Sequence, residues 1–237
     1  MTPDAAPLPA RPSRSRYRQA LHGFRRHPSG VLLAVQLLGV LSYPLMENTA
    51  GGRALFGAFG ILMVSLVLWM VNRGAGINWF SWLLALPSVA LSLAANLLPL
   101  PALLPFAQVF EAILYLYAAG VLIYYMLGDH RVTTDELVAA ATTFTLLAWA
   151  FAYAFSACQA WVPGSFSGVE DPSHPRSWME LLFLSFSMLS GVGLSDIVPV
   201  TPPARALSML GMFGGVMYIA IVVSRLIALT VLREQKR

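Results

Sequence analysis

Long apolar runs separated by short polar turns set the pattern of this chain. Stretches with almost no charge cover residues 30–47, 53–71, 78–98, 105–127, 134–159 and 203–232. Each approaches or exceeds the roughly 20 residues that an α-helix needs to cross a hydrocarbon core about 30 Å thick. The pattern predicts an all-α membrane protein with six transmembrane helices. Local signals mark several ends. Thr133 and Glu136 have the spacing of a capping box ahead of the fifth segment, and Thr201-Pro202 reads as an N-cap followed by proline at the first helical position. Pro87 falls inside the third segment, where neighbouring helices can satisfy the carbonyl it frees.

The stretch between the fifth and sixth segments breaks this pattern. It opens on the Pro/Gly/Ser-rich loop WVPGSFSGVEDPSHPR and continues as SWMELLFLSFSMLSG. Ser177 and Glu180 form a second capping-box pair. The apolar run behind them is too short to span a bilayer, at about 20 Å of helix, but long enough to enter it halfway. The return path, GVGLSDIVP, carries two glycines and no helical periodicity. Such backbone is tolerated at membrane depth only where it is buried in protein or lines water. The reading is a re-entrant pore helix and filter between the fifth and sixth helices, with several copies of the chain around an axis. A plain turn between a half-helix and a full helix is the simpler alternative.

Composition narrows the class further. The chain is 57% hydrophobic and 11% charged, against about 25% charged in soluble domains, which argues against a soluble fold. The net charge of +4 resides in arginines gathered towards the two ends, with Arg73 and Arg131 on the same predicted side and only Arg53, Arg176 and Arg205 opposite. That bias places both termini in the cytoplasm of a bacterial inner membrane, and it explains the basic charge without nucleic acid. Residues 1–29 form a basic cytoplasmic segment rather than a cleaved signal. Within it Tyr17, Leu21 and Phe24 have helical spacing among arginines, which fits an interfacial helix on anionic lipid, the plainer reading being a basic tail. Cys158 is the one cysteine, so no intrachain disulfide forms. No metal-ligand spacing, carboxylate pair or nucleophile–base pair is present, and neither a cofactor nor an enzyme is expected.

Residues 181–205, LLFLSFSMLSGVGLSDIVPVTPPAR, resemble the pore segment of the potassium-channel family. That family follows a short pore helix with T-V-G-Y-G-D, a proline and an arginine leading into the inner helix. The match runs without gaps through Asp196, Pro199, Thr201 and Arg205. The resemblance implies a homotetramer with an ion filter at Gly191, Val192, Gly193, Leu194 and Ser195, permeated by K+ or Na+. It also implies filter and vestibule roles for Glu180, Ser190 and Asp196. The sequence departs from the family at Gly191, Leu194 and Ser195, and each departure weakens a rigid potassium-selective filter. A left-handed residue in place of the family's last glycine would cost Ser195 about 1 kcal/mol or drive it to another conformation.

The domain plan that follows is a basic segment 1–29, a four-helix sensor-like unit 30–127 and a pore unit 128–237. The fourth segment, PFAQVFEAILYLYAAGVLIYYML, lacks the repeated arginines of voltage sensors. Its one charge, Glu111, reads as a structural bond within the bundle or, secondarily, as a sensor, with Tyr115, Gln36 and Tyr43 as candidate partners. Glu47, Glu170, Asp171, Glu180 and Asp196 would give the outer mouth a cation-attracting field. In the last segment Gly215 counts to the family's hinge glycine, while Gly211 and Gly215 also make a G-x-x-x-G packing pair beside Gly214. Met217, Ile221 and Ser224 are candidates to line the pore. Membrane lipids and a separate regulatory subunit are the expected partners. A non-conducting sensor or assembly protein, and less strongly a secondary transporter, are the alternative functions.

Overall fold

The computed structural model describes residues 28–47, 52–72, 78–98, 100–128, 134–168 and 174–234. Three helices open it: α1 (Pro28–Glu47), α2 (Gly52–Val71) and α3 (Asn78–Leu97, with Pro87 inside it). A 3-10 turn (Pro101–Leu103) leads into α4 (Leu104–Gly128), followed by α5 (Thr134–Trp161), strand β1 (Phe166–Ser167), α6 (Trp178–Ser190) and strand β2 (Val198–Pro199). The chain then runs as one continuous rod: α7 (Pro202–Tyr218), a π turn (Ile219–Val223) and α8 (Ser224–Glu234). The basic segment before residue 28, with its proposed interfacial helix, lies outside the described residues, as does Thr133 of the first capping-box pair.

The six-span expectation requires correction. Among the described residues, three helices are long and apolar enough to cross a membrane: Leu104–Gly128, Asp135–Trp161 and Pro202–Val231. Among the described residues, the apolar stretches of the first three helices are shorter, Ser29–Tyr43, Gly57–Val71 and Trp79–Ala95, in the range of 10–17 residues. The fold is therefore a bundle with three membrane-length helices, and α6 lies between the second and third of these rather than between the fifth and sixth of six. It is also not wholly helical, since β1 and β2 pair antiparallel with Phe166 opposite Pro199 and Ser167 opposite Val198.

Two apolar clusters hold the bundle. The larger joins α1 to α5 with the inner side of α6 and the lower rod, around Trp149, Tyr115, Met63 and Leu182. Polar side chains inside it are bonded across helices: Thr145 donates to Gln36 Oε1 at 2.6 Å and Ser185 donates to the Ala148 carbonyl at 2.8 Å. The smaller cluster is Phe155, Cys158, Phe166, Leu181, Leu184, Met188, Ile197 and Ala204. It fastens the end of α5, β1, α6 and the start of α7 around the segment that follows α6.

The start of α6 is capped as its sequence foretells. Ser177 sits in extended backbone, its Oγ accepts from Glu180 N at 3.3 Å, and Glu180 Oε2 accepts from Ser177 N at 2.5 Å. Glu180 also lies 3.6 Å from Arg176. Ser177→Ala is expected to cost about 1 kcal/mol, read as a lower midpoint in thermal unfolding in detergent, with Ser177→Asp restoring most of it.

Candidate functional site

Residues 191–201 carry two of the three left-handed glycines among the described residues. Helix α6 ends when Gly191 takes the left-handed conformation (φ 71°, ψ 8°) and its N–H bonds to Met188 O at 3.2 Å. Gly193 is left-handed as well (φ 69°), and its N–H reaches back to Ser187 O at 3.3 Å. No residue other than glycine has positive φ among the described residues. Ser195 has therefore taken the other conformation open to it, and its Oγ accepts from Ile197 N at 3.1 Å. Among the described residues no hydrogen bond is accepted by the carbonyls of Gly191 to Ser195. Val192 and Leu194 are exposed at 70% and 68%, unusual for apolar side chains. This places five consecutive carbonyls on a strip of chain that the protomer leaves open.

Beyond the strip the chain is anchored again. Ile197 is buried in the smaller apolar cluster. Val200 N donates to Ser165 O at 2.9 Å, and Ser165 Oγ lies 2.9 Å from Thr201 Oγ1. Thr201 is the N-cap residue of α7 and Pro202 follows in the first turn, but the Thr201 side chain makes no capping bond and turns to Ser165 instead. Arg205 Nε donates to Pro199 O at 3.3 Å. The strip is thus clamped between α6 and the ladder at its far end.

The flanking candidates fall into distinct settings. Ser190 Oγ bonds to Ser187 O at 3.2 Å, closing the last turn of α6. Asp196 is exposed at the far end of the strip. Glu180 is engaged by its capping bonds and by Arg176, which leaves Asp196 as the described carboxylate nearest the strip. Glu170 and Asp171 lie outside the described residues, as does the side chain of Glu47.

The three glycines of α7 differ sharply. A Cβ on Gly215 would run into the backbone of Leu189, near the end of α6. One on Gly211 would meet the Phe151 ring at 3.5 Å, an ordinary contact, and one on Gly214 would meet nothing. The close crossing of rod and α6 is therefore at Gly215.

Sequence reasoning missed the π turn just beyond. Tyr218 above it donates to Ala140 O of α5 at 2.6 Å, and Arg225 below it donates to Leu127 O at the end of α4. The only sequence trace is the β-branched run Ile219, Ile221, Val222 and Val223 ahead of Ser224. That run crowds an α-turn, and the Ser224 hydroxyl takes up Ile219 O at 3.4 Å. π turns are frequent at functional positions in helices.

Glu111 is buried in the bundle, and Ser88 Oγ of α3 donates to its Oε1 at 3.3 Å. Of its three candidate partners, Gln36 Oε1 accepts from Thr145, the Tyr43 ring lies 5.8 Å from Trp178, and the Tyr115 hydroxyl has no hydrogen-bond partner. Serines at 88 and 92 carried no signal by themselves, because nothing in one sequence pairs α3 with α4.

Among the described residues no group of His, Cys, Asp and Glu side chains could hold a metal ion. The open strip of carbonyls offers dipoles for a passing ion instead. Residues 112–231, half of the chain, match the family model described as ion channel. No curated protein and no solved structure matches the chain. The match takes in most of α4, all of α5, the short helix, the open strip and nearly all of the rod, and its function is transport rather than catalysis. The chain belongs to the ion-channel family.

Proposed function

We propose that this protein is the subunit of a homotetrameric channel for monovalent cations, with residues 191–195 of each copy forming the filter. The observation that carries this reading is the run of unbonded carbonyls from Gly191 to Ser195, on a segment whose residues 191–194 are exposed in the protomer and which is held at both ends. Carbonyl dipoles without donors are costly in lipid, and rings of them replace the water around a cation. One chain supplies one strip, so a closed ring needs copies around an axis. The exposed apolar side chains of Val192 and Leu194 then become contacts between copies or with a neighbouring α6.

Within this reading the pore unit is 128–237, the carboxyl end of α6 directs its negative dipole to the inner side of the filter, and Asp196 draws cations to the outer side. Both termini lie in the cytoplasm of a bacterial inner membrane, with the basic N-terminal segment on anionic lipid. Potassium preference is modest, because Ser195 is not left-handed and Leu194 has no hydroxyl to tie the strip to α6.

Purified protein in liposomes provides the test. Imposed K+ and Na+ gradients are expected to drive cation flux with a reversal potential following the cation gradient and not chloride, and K+ favoured over Na+ by roughly tenfold or less, about 1.4 kcal/mol. Absence of cation flux sinks the reading and leaves a non-conducting membrane assembly protein in its place.

A further inference from the structure

Glu111 is the one buried carboxylate in the membrane-length part of α4, about 10 Å below its start. Among the described residues no ion pair reaches it. Its neighbours are hydroxyls from three helices. Ser88 of α3 donates to it, and the hydroxyls of Ser92 on α3 and Tyr153 on α5 bear on the same carboxyl. Tyr115, one turn along α4, is fully buried with its hydroxyl unpartnered. Tyr115 and Tyr153 are the titratable groups that face Glu111, from its own element and from α5. Helix α3 presents only serines, and the described side chains of α2 and the π turn include no titratable group.

Such a site has two complete hydrogen-bond arrangements. Without its proton the carboxylate accepts from Ser88, Ser92 and Tyr153. With its proton it becomes a donor, and an acceptor is needed, which the idle Tyr115 oxygen one turn away can supply after a rotamer adjustment. Hydroxyls donate or accept by rotation, so a proton arriving at Glu111 reverses bonds rather than breaking the bundle.

Both tyrosines lead to α6. The Tyr153 ring lies 5.7 Å from Trp178, the first residue of α6. Tyr115 stacks on Trp149 at 6.1 Å, and Trp149 meets Trp178 edge-on at 4.8 Å. Two aromatic routes from Glu111 therefore converge on the residue that follows the α6 N-cap, at the head of the helix that carries the open strip. We propose that Glu111 is a proton-binding site and that its occupancy is relayed through Tyr153, Tyr115 and Trp178 to the position of α6.

The effect on flux rests on the channel reading above, whereas the effect on Trp178 does not. Two measurements on the full chain keep them apart: cation flux in liposomes, and near-ultraviolet circular dichroism in detergent, each from pH 5 to pH 9. In the wild type both are expected to change together, flux by roughly fivefold or more. In Glu111→Gln, which keeps the shape of the protonated side chain, both become flat at the acid-side value of the wild type. Trp178→Phe is expected to reduce the pH dependence of flux. A wild type that is flat in both measurements, or a Glu111→Gln variant that keeps the wild-type profile, overturns the proposal. A dichroism change that Glu111→Gln removes, without flux at any pH, upholds the proton site and rejects the channel. If Glu111→Gln does not fold, Ser88→Ala serves instead: removal of a donor must move the midpoint of the dichroism profile, and an unmoved midpoint overturns the assignment.

Discussion

Gly215→Ala is expected to destabilise the protein by about 3 kcal/mol, the upper end for overpacking, because the added methyl meets the backbone of Leu189 rather than a side chain that can rotate away. In thermal unfolding of detergent-solubilised protein this corresponds to a loss of roughly 10 °C. Gly214→Ala is the control. It has open space and gains helix propensity, so its midpoint should stay level or rise slightly. Gly211→Ala should fall between, with one ordinary contact to Phe151. The series separates two uses of glycine. If Gly215 served only as a bending point, its alanine variant would keep its midpoint and alter only the open fraction.

The second large effect concerns the strip itself. Exchanging Gly191, Leu194 and Ser195 for the residues of the potassium-channel pattern is nominally one experiment, but the backbone divides it in two. Leu194 and Ser195 have ordinary φ, and the Leu194 side chain has room, so Leu194→Tyr with Ser195→Gly should be accepted. The lost Ser195 bond to Ile197 N costs about 1 kcal/mol. The double variant should raise K+ over Na+ permeability in reversal-potential measurements. Gly191→Thr is different. Gly191 ends α6 at φ 71°, where a β-branched residue costs about 1–2 kcal/mol and crowds the cap. Adding it should lower the unfolding midpoint without further gain in selectivity. A triple variant with undiminished stability and higher K+ preference would show that residue 191 is not held left-handed.

Much of the helix placement was legible. Apolar runs located every long helix to within a few residues, and the Ser177 and Glu180 spacing announced the α6 cap, because both signals are local. The number of membrane-length helices was not legible. Absence of charge does not by itself distinguish a helix that crosses a bilayer from a shorter apolar one. The departure of residues 191–195 from a simple helix was legible from Gly191 and Gly193, and the settings of Glu180 and Gly215 were anticipated as alternatives that packing then separated. What a single sequence could not hold were the long-range pairings: Ser88 with Glu111, Gln36 with Thr145, and the ring cluster that brings Tyr43, Trp149 and Tyr153 onto Trp178. Each joins helices whose relative rotation depends on the whole core.

The π turn at Ile219–Val223 also changes how positions along the rod are compared. An extra residue within one turn rotates everything beyond it by about 100°. The sheltered side runs through Gly211, Gly215, Tyr218, Val222 and Leu226, so the last two steps are four residues each. Met217, Ile221 and Ser224, which share a stripe in an ideal helix, therefore do not share one here. A substitution scan down the rod should lose phase after Tyr218, and an ungapped alignment with a channel whose inner helix is regular will be one position out for every residue from Ser224 onwards.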